Sequence, residues 1–198
     1  MNVEKAVDSL KKRGFSVQRF PTAQAAVDYL CGEIRGKQVG FGGSATLEEL
    51  GLYERLGEQN QVFWHWKDKD PAVTEKAALA PVYLASANAI SEDGYLVNID
   101  GRGNRVAASV CSKEAVYIVA GVNKLAPDLE QAIWRARNVA APKNAQRLGR
   151  NTPCAKAGDK CYDCNSPECI CNVMSIVRRP MMGMGKYEVI LIDQELGM

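Results

Sequence analysis

The sequence predicts an α/β fold: a Rossmann-like, mostly parallel sheet flanked by helices, with a C-terminal cysteine-rich loop. Three observations predict it. Short apolar, β-rich runs alternate with segments of helical periodicity for most of the length, the pattern of a sheet covered by helices. The composition, 46% hydrophobic and 24% charged over 198 residues, is that of a globular chain able to bury a sizeable core. Five of the seven cysteines crowd between Cys154 and Cys171, a clustering that in a chain of this kind points to metal or redox chemistry.

Taken in order, Val3, Ala6, Val7 and Leu10 fall at i, i+3, i+4 and i+7, so residues 2–13 read as a helix closed by Gly14. Residues 15–20 alternate apolar and polar as a strand. After Pro21, Thr22 can cap a helix carrying Ala25, Ala26, Tyr29, Leu30 and Ile34. A buried strand at 38–41 leads through a glycine-rich turn into a helix at 45–56. A strand is expected at 62–66, a short helix at 72–79 after Pro71, and further strands at 82–85, 95–99 and 115–120. The segment 104–110 is rich in small residues and shows no amphipathic helical face. Pro127 opens a helix through Leu129, Ala132, Ile133, Ala136 and Val139; Pro142 interrupts it, and 143–148 resumes it. The cysteine loop fills 150–172, and 173–177 and 187–192 are closing strands. No internal repeat or low-complexity linker divides the chain, which reads as a single domain over 1–198.

The charge balance excludes several functions. A net charge of +2 is too small to indicate nucleic acid or an acidic membrane surface as partner. No apolar run approaches the ~20 residues of a membrane span. The N-terminal segment is charged and amphipathic and lacks the apolar core of a signal peptide, so a cytoplasmic location is expected.

The organising stretch is SANAISEDGYLVNIDGRGNRVAASV, residues 86–110. Its turns at 91–94 and 100–103 flank a strand, and its polar groups are dense for a buried centre. Such groups are expensive unless paired, so Asn88, Asn98, Asp100, Asn104 and Arg105 are candidate ligand-binding residues. Gly42, Gly43, Ser44 and Thr46 form a glycine-rich strand-to-helix turn suited to a small anion, with a plain helix cap at Ser44 or Thr46 as the simpler reading. Ser91-Glu92-Asp93-Gly94 is a hairpin turn signal, in which Glu92 is also a candidate catalytic nucleophile or base. The cysteines follow Cys154-x6-Cys161-x2-Cys164-x4-Cys169-x-Cys171. Cys161-x2-Cys164 is a metal knuckle; with Cys154 and either Cys169 or Cys171 it offers four sulfur ligands to zinc or an iron–sulfur cluster. His65, the sole histidine, is expected at a half-exposed strand end, and Cys31 and Cys111 in the core.

Residues 86–110, the block VYIVAGVNKLAPDLEQAIWRARNVAAPKNAQRL, the segment NTPCAKAGDKCYDCNSPECICN and the earlier VGFGGSATLEELGL together resemble the lactate-utilisation (LUD) domain family. The resemblance covers most of the chain and implies a fold like that of the CoA-transferase and ribose-phosphate isomerase superfamily. Family I CoA-transferases carry their nucleophilic glutamate in a Ser-Glu-Asn-Gly turn, to which residues 91–94 are similar. Characterised relatives are implicated in oxidising L-lactate to pyruvate alongside iron–sulfur partner proteins. The resemblance therefore implies an accessory or redox-linked component of organic-acid oxidation that binds a small organic anion. It also places Cys154, Cys161, Cys164 and Cys171 at the cysteine positions of short members, with Cys169 as an extra. A CoA-transferase-like or sugar-phosphate-type enzyme using Glu92 is the alternative, and a binding protein with structural cysteines a further one.

Overall fold

The chain begins with α1 (Val3–Lys12), whose first turn is capped by Asn2 Oδ1 accepting from the Lys5 N–H at 2.9 Å. The computed structural model describes residues 1–198. Then follow β1 (Ser16–Phe20), α2 (Ala23–Glu33), β2 (Gln38–Phe41), α3 (Ala45–Glu49), α4 (Leu52–Gly57), β3 (Gln61–Phe63), α5 (Val73–Leu79) and β4 (Val82–Ala85). A hairpin of β5 (Ala89–Ser91) and β6 (Leu96–Asp100) precedes α6 (Asn104–Val110), β7 (Ala115–Gly121) and β8 (Leu125–Ala126). The chain ends with α7 (Leu129–Arg135), α8 (Ala141–Arg147), α9 (Pro153–Ala157), β9 (Val173–Val177) and β10 (Lys186–Ile192).

Six strands, in the order β1-β10-β7-β4-β2-β3, pair in parallel. Parallel sheets need cover on both faces, and every residue of β7 is buried. Because side chains alternate along a strand, Val116, Ile118 and Ala120 pack with Leu10 of α1 on one face. Tyr117 and Val119 pack with Leu30 and Leu47, from α2 and α3, on the other. The chain leaves β2 outward to β3 and returns across it to β4, so the strand order reverses between β2 and β4. A crevice opens at the carboxyl ends of strands at such a reversal. A second sheet, β8-β5-β6-β9, stands beside the first, with β6 antiparallel to both neighbours.

The expected α/β architecture is present, and its departures from expectation have local causes. The 45–56 helix breaks in two at Gly51, which takes a left-handed φ of 60° between α3 and α4. The 62–66 strand stops at Phe63, because the Trp64 carbonyl accepts from the N–H groups of Lys67 and Asp68 and turns the chain. The small-residue segment at 104–110 is helical: the Asp100 carboxylate takes the Arg102 and Gly103 N–H groups at its entrance, both at 3.0 Å. Pro142 does not interrupt its helix. A proline removes one N–H and crowds the carbonyl four residues back, and the wider π-helical turn at Ala136–Ala140 accommodates this between α7 and α8. The cysteine segment is not all loop, since Thr152 caps α9 within it. Val173–Val177 pairs with β6 in the small sheet, leaving β10 alone to close the main one between β1 and β7. Cys31 is half-buried and Cys111 exposed, so neither is a core residue. No helix is long and apolar enough to cross a membrane.

The 91–94 turn forms as expected and docks on α1. Glu92 Oε1 accepts the Asn2 N–H at 2.7 Å, and its Oε2 lies 3.3 Å from Lys5 Nζ. The Asp93 carbonyl accepts from Arg13 Nε at 2.7 Å. Gly94, at φ 86°, is required twice, since a Cβ there would also lie 2.8 Å from the Ser9 backbone. The Asn2 N–H, and then Lys5, hold the Glu92 carboxyl below its usual range. A carboxylate depressed in the folded state stabilises above its unfolded pKa, and that contribution disappears as pH falls through the folded value. Glu92→Ala should therefore cost about 1 kcal/mol at pH 7 in denaturant melts, and the deficit should close as pH drops below about 4. A deficit independent of pH would refute an ionic anchor.

Candidate functional site

Chain reversal between β2 and β4 brings the two glycine-bearing regions of the sequence to one place. The turn after β2 passes so close to its neighbours that side chains are excluded. A Cβ on Gly42 would lie 2.9 Å from Arg105 Cγ and 3.0 Å from Tyr83 Oη, and one on Gly43 3.0 Å from the Trp66 indole. Ser44 is the N-cap of α3, its Oγ accepting from the Leu47 N–H at 3.2 Å, so the simple capping reading holds for that hydroxyl. A cavity of about 470 Å³ opens where these turns meet the carboxyl ends of β2, β4 and β7.

Seven of the nine ligand residues proposed from sequence line this cavity: Gly43, Ser44, Thr46, Asn88, Asp100, Asn104 and Arg105. Gly42 lies behind it against Arg105 and Tyr83. Asn98 supports it from outside, its Oδ1 accepting the Asn88 N–H at 3.1 Å. Glu92 lines neither this cavity nor the one beside it; its carboxylate is engaged with α1.

The wall is cationic. Arg102, Arg105, Lys124, Arg147 and Arg150 line it, against one acidic side chain, Asp100. Asp100 is already committed to two backbone N–H groups and lies 3.7 Å from Arg105 Nε. Arg105 is held by Asn88 Oδ1 at 3.2 Å and the Ile99 carbonyl at 2.6 Å. Trp66 lines the cavity and is backed by an aromatic column: Trp64 stacks on Phe41 at 5.2 Å and on Trp66 at 5.4 Å, and Arg147 lies 4.5 Å above the Trp66 ring. His65 is half-buried in the turn beyond β3 and lines the cavity. Burial, then Arg102, lowers its pKa against the opposing pull of Asp100, keeping the ring neutral at pH 7.

Lys124, like Arg102, Arg147 and Arg150, is a lining residue that sequence reasoning missed. It follows β7 in a short 3-10 turn and is only 4% exposed. Its Nζ donates to Thr46 Oγ1 at 2.7 Å and to Ser86 Oγ at 2.8 Å, which leaves one of an ammonium's three N–H groups free. Burial first, then Arg135 and Arg105, bring its pKa down to about 7. The signal in the sequence was positional: a lysine just past the carboxyl end of a fully apolar strand.

Beside this cavity is a second, of about 260 Å³, lined by Cys154, Cys161, Cys164, Cys169 and Cys171. The structure thus gathers all four cysteines proposed as ligands, together with Cys169. No three His, Cys, Asp or Glu side chains converge where one metal ion would sit; the five cysteines line a cavity instead. Ile99 and Ile170 line both cavities.

The family model described as the LUD domain matches residues 3–192. The crystal structure of a DUF162 family protein from Deinococcus radiodurans aligns with a TM-score of 0.55, covering 96% of this chain and 95% of that chain at 12% identity. At that identity the likeness shows the fold alone. No curated protein matches the chain.

Lys124 carries a stability signature. Its pKa falls from about 10.4 in an unfolded chain to about 7 when folded. Its burial therefore penalises the fold fully below pH 7, and the penalty fades as pH rises toward the unfolded value. Lys124→Met should be more stable than the parent at pH 6, by on the order of 1–3 kcal/mol, with the gap narrowing by pH 9.5. Thermal melts across that range check it, and a gap that does not change with pH would refute it.

Proposed function

This chain belongs to the LUD domain family, a membership that associates it with lactate utilisation, and from that premise we propose what its basic cavity does. The cavity binds a small organic anion, the carboxylate of a 2-hydroxy or 2-oxo acid, within a system that oxidises L-lactate to pyruvate. The chain acts there as an accessory or redox-linked component beside iron–sulfur oxidoreductase partners. One observation carries the reading: five cationic side chains line a cavity whose only acidic side chain is already satisfied. Arg102, Arg147 and Arg150 are exposed, but Lys124 and Arg105 are largely out of water, where a charge attracts a counter-ion far more strongly than it does in water.

Lys124 gives the site a proton as well as a charge. With a pKa of about 7, both its forms are populated at neutral pH, the condition for efficient proton exchange with a ligand. Its neutral amine can accept a hydrogen bond from a 2-hydroxyl group, and its ammonium can donate one to a 2-oxo group. Thr46 and Ser86 fix the position of Nζ, and Arg105, immobilised by Asn88 and Ile99, supplies charge for the carboxylate. The Glu92-based alternative draws no support from this geometry, because Glu92 is tied to α1 and lines neither cavity.

Calorimetric titration tests the reading with L-lactate, pyruvate and the uncharged analogue lactamide. Both acids should bind and lactamide should not. Affinity should be highest below pH 7 and fall above it, since Lys124 loses its charge there. Lys124→Met should weaken lactate binding by about tenfold or more, equivalent to about 1.4 kcal/mol. Equal binding of lactamide, or pH-independent affinity, would overturn the proposal.

A further inference from the structure

The cysteine-lined cavity is the second built feature of the molecule, and it does not depend on what the basic cavity binds. Its thiols come from three separate places: α9, the turn at 161–164 and the stretch at 169–171. Each place presents hydrogen-bond partners to sulfur. Within the turn, the Asp163 N–H meets Cys161 Sγ at 3.4 Å, and Arg137 Nη2 lies 3.9 Å from the same sulfur. The Cys171 N–H meets Cys169 Sγ at 3.4 Å, and Thr152 Oγ1 lies 3.3 Å from Cys154 Sγ. Donors aimed at sulfur favour thiolate over thiol, and hydrogen bonds to sulfur also tune bound clusters. Asp163 holds a left-handed φ of 50°, the only non-glycine residue with a positive φ. That conformation is strained, and it sits where Cys161 and Cys164 are turned toward the same cavity. No cysteine is in a disulfide.

We infer that this chamber binds a polynuclear iron–sulfur cluster through four thiolates, from Cys154, Cys161, Cys164 and one of the Cys169–Cys171 pair. The number of thiols and the room between their segments suit a cluster. A tetrahedral zinc, with zinc–sulfur bonds of about 2.3 Å, draws its thiolates to within about 4 Å of one another. Here they surround a cavity of about 260 Å³ and no three converge. A cluster sets its own metals and sulfides between its four cysteine ligands, as a ring of thiols around a volume requires. Arg137, beside Cys161, offsets part of the negative charge that such a cluster carries. Ile99 and Ile170 separate the chamber from the basic cavity, so cluster and bound anion would lie on opposite sides of the same two side chains.

The test uses the full chain, purified without oxygen or chelator, incubated with ferrous iron and sulfide, and desalted. Iron, acid-labile sulfide and zinc are assayed, with visible spectra before and after dithionite. The expected result is iron and sulfide in near-equal amounts, with a broad charge-transfer absorption that bleaches on reduction. Bound iron should fall to background in Cys161→Ser and Cys164→Ser, and in only one of Cys169→Ser and Cys171→Ser. It should persist in Cys31→Ser and Cys111→Ser, which lie outside the chamber. The metal and sulfide content of the parent decides the matter even if a variant fails to fold. Stoichiometric zinc without sulfide, uptake of neither metal, or iron retained by the Cys161→Ser/Cys164→Ser double variant would each overturn the inference.

Discussion

Taking Lys124 and Arg105 out of water is the constraint on which the rest of the site depends. A buried charge costs several kcal/mol unless its bonds to water are replaced, and the replacements here recruit every surrounding element. Lys124 uses hydroxyls from α3 and from the end of β4. Arg105 uses the Ile99 carbonyl and Asn88. Asn88 in turn accepts the Ile99 N–H at 2.7 Å and presents its own carbonyl to Arg135 of the following helix. The network satisfies the polar groups one by one but leaves the cavity with a surplus of positive charge.

The β5–β6 hairpin makes this arrangement mechanical. At one end its turn is bolted to α1 through Glu92, Asp93 and Gly94. At the other end Asp100 opens α6 and steadies Arg105. Between them Ile99 forms part of the wall between the basic cavity and the thiol chamber. The thiol segment is fastened to the same end: Asn172 Nδ2 donates to the Gly101 carbonyl at 2.8 Å, and a Cβ on Gly101 would lie 3.2 Å from the Ile170 backbone. A displacement of the cysteine segment would be felt at the rim of the basic cavity.

The sequence made the parallel sheet legible because strands buried on both faces leave uninterrupted apolar runs such as 115–120. It hid α6, whose seven residues form too few turns to show a periodic face, and the passage of the helix through Pro142 by way of a π-helical turn. Strand pairing was also hidden, since nothing in residues 173–177 says which sheet they join. In the site, glycines and clustered polar residues near strand ends were readable, because such groups are rarely placed at a buried centre without purpose. Of the cations, only Arg105 was. Arg102, Lys124, Arg147 and Arg150 belong to no motif and meet only through the topology. Glu92 shows the opposite case: a turn similar to a catalytic one, placed where its carboxylate anchors a helix.

The central claim is that a desolvated Lys124 holds the charge that recognises the anion. Its side-chain titration can be followed directly by NMR of 13C-labelled lysine, assigned with Lys124→Met, with and without lactate. The account predicts one lysine titrating at about 7 in the free protein and shifting upward when lactate is added, because a bound carboxylate favours the ammonium form. A Lys124 that titrates in the ordinary lysine range, unmoved by lactate, would contradict it.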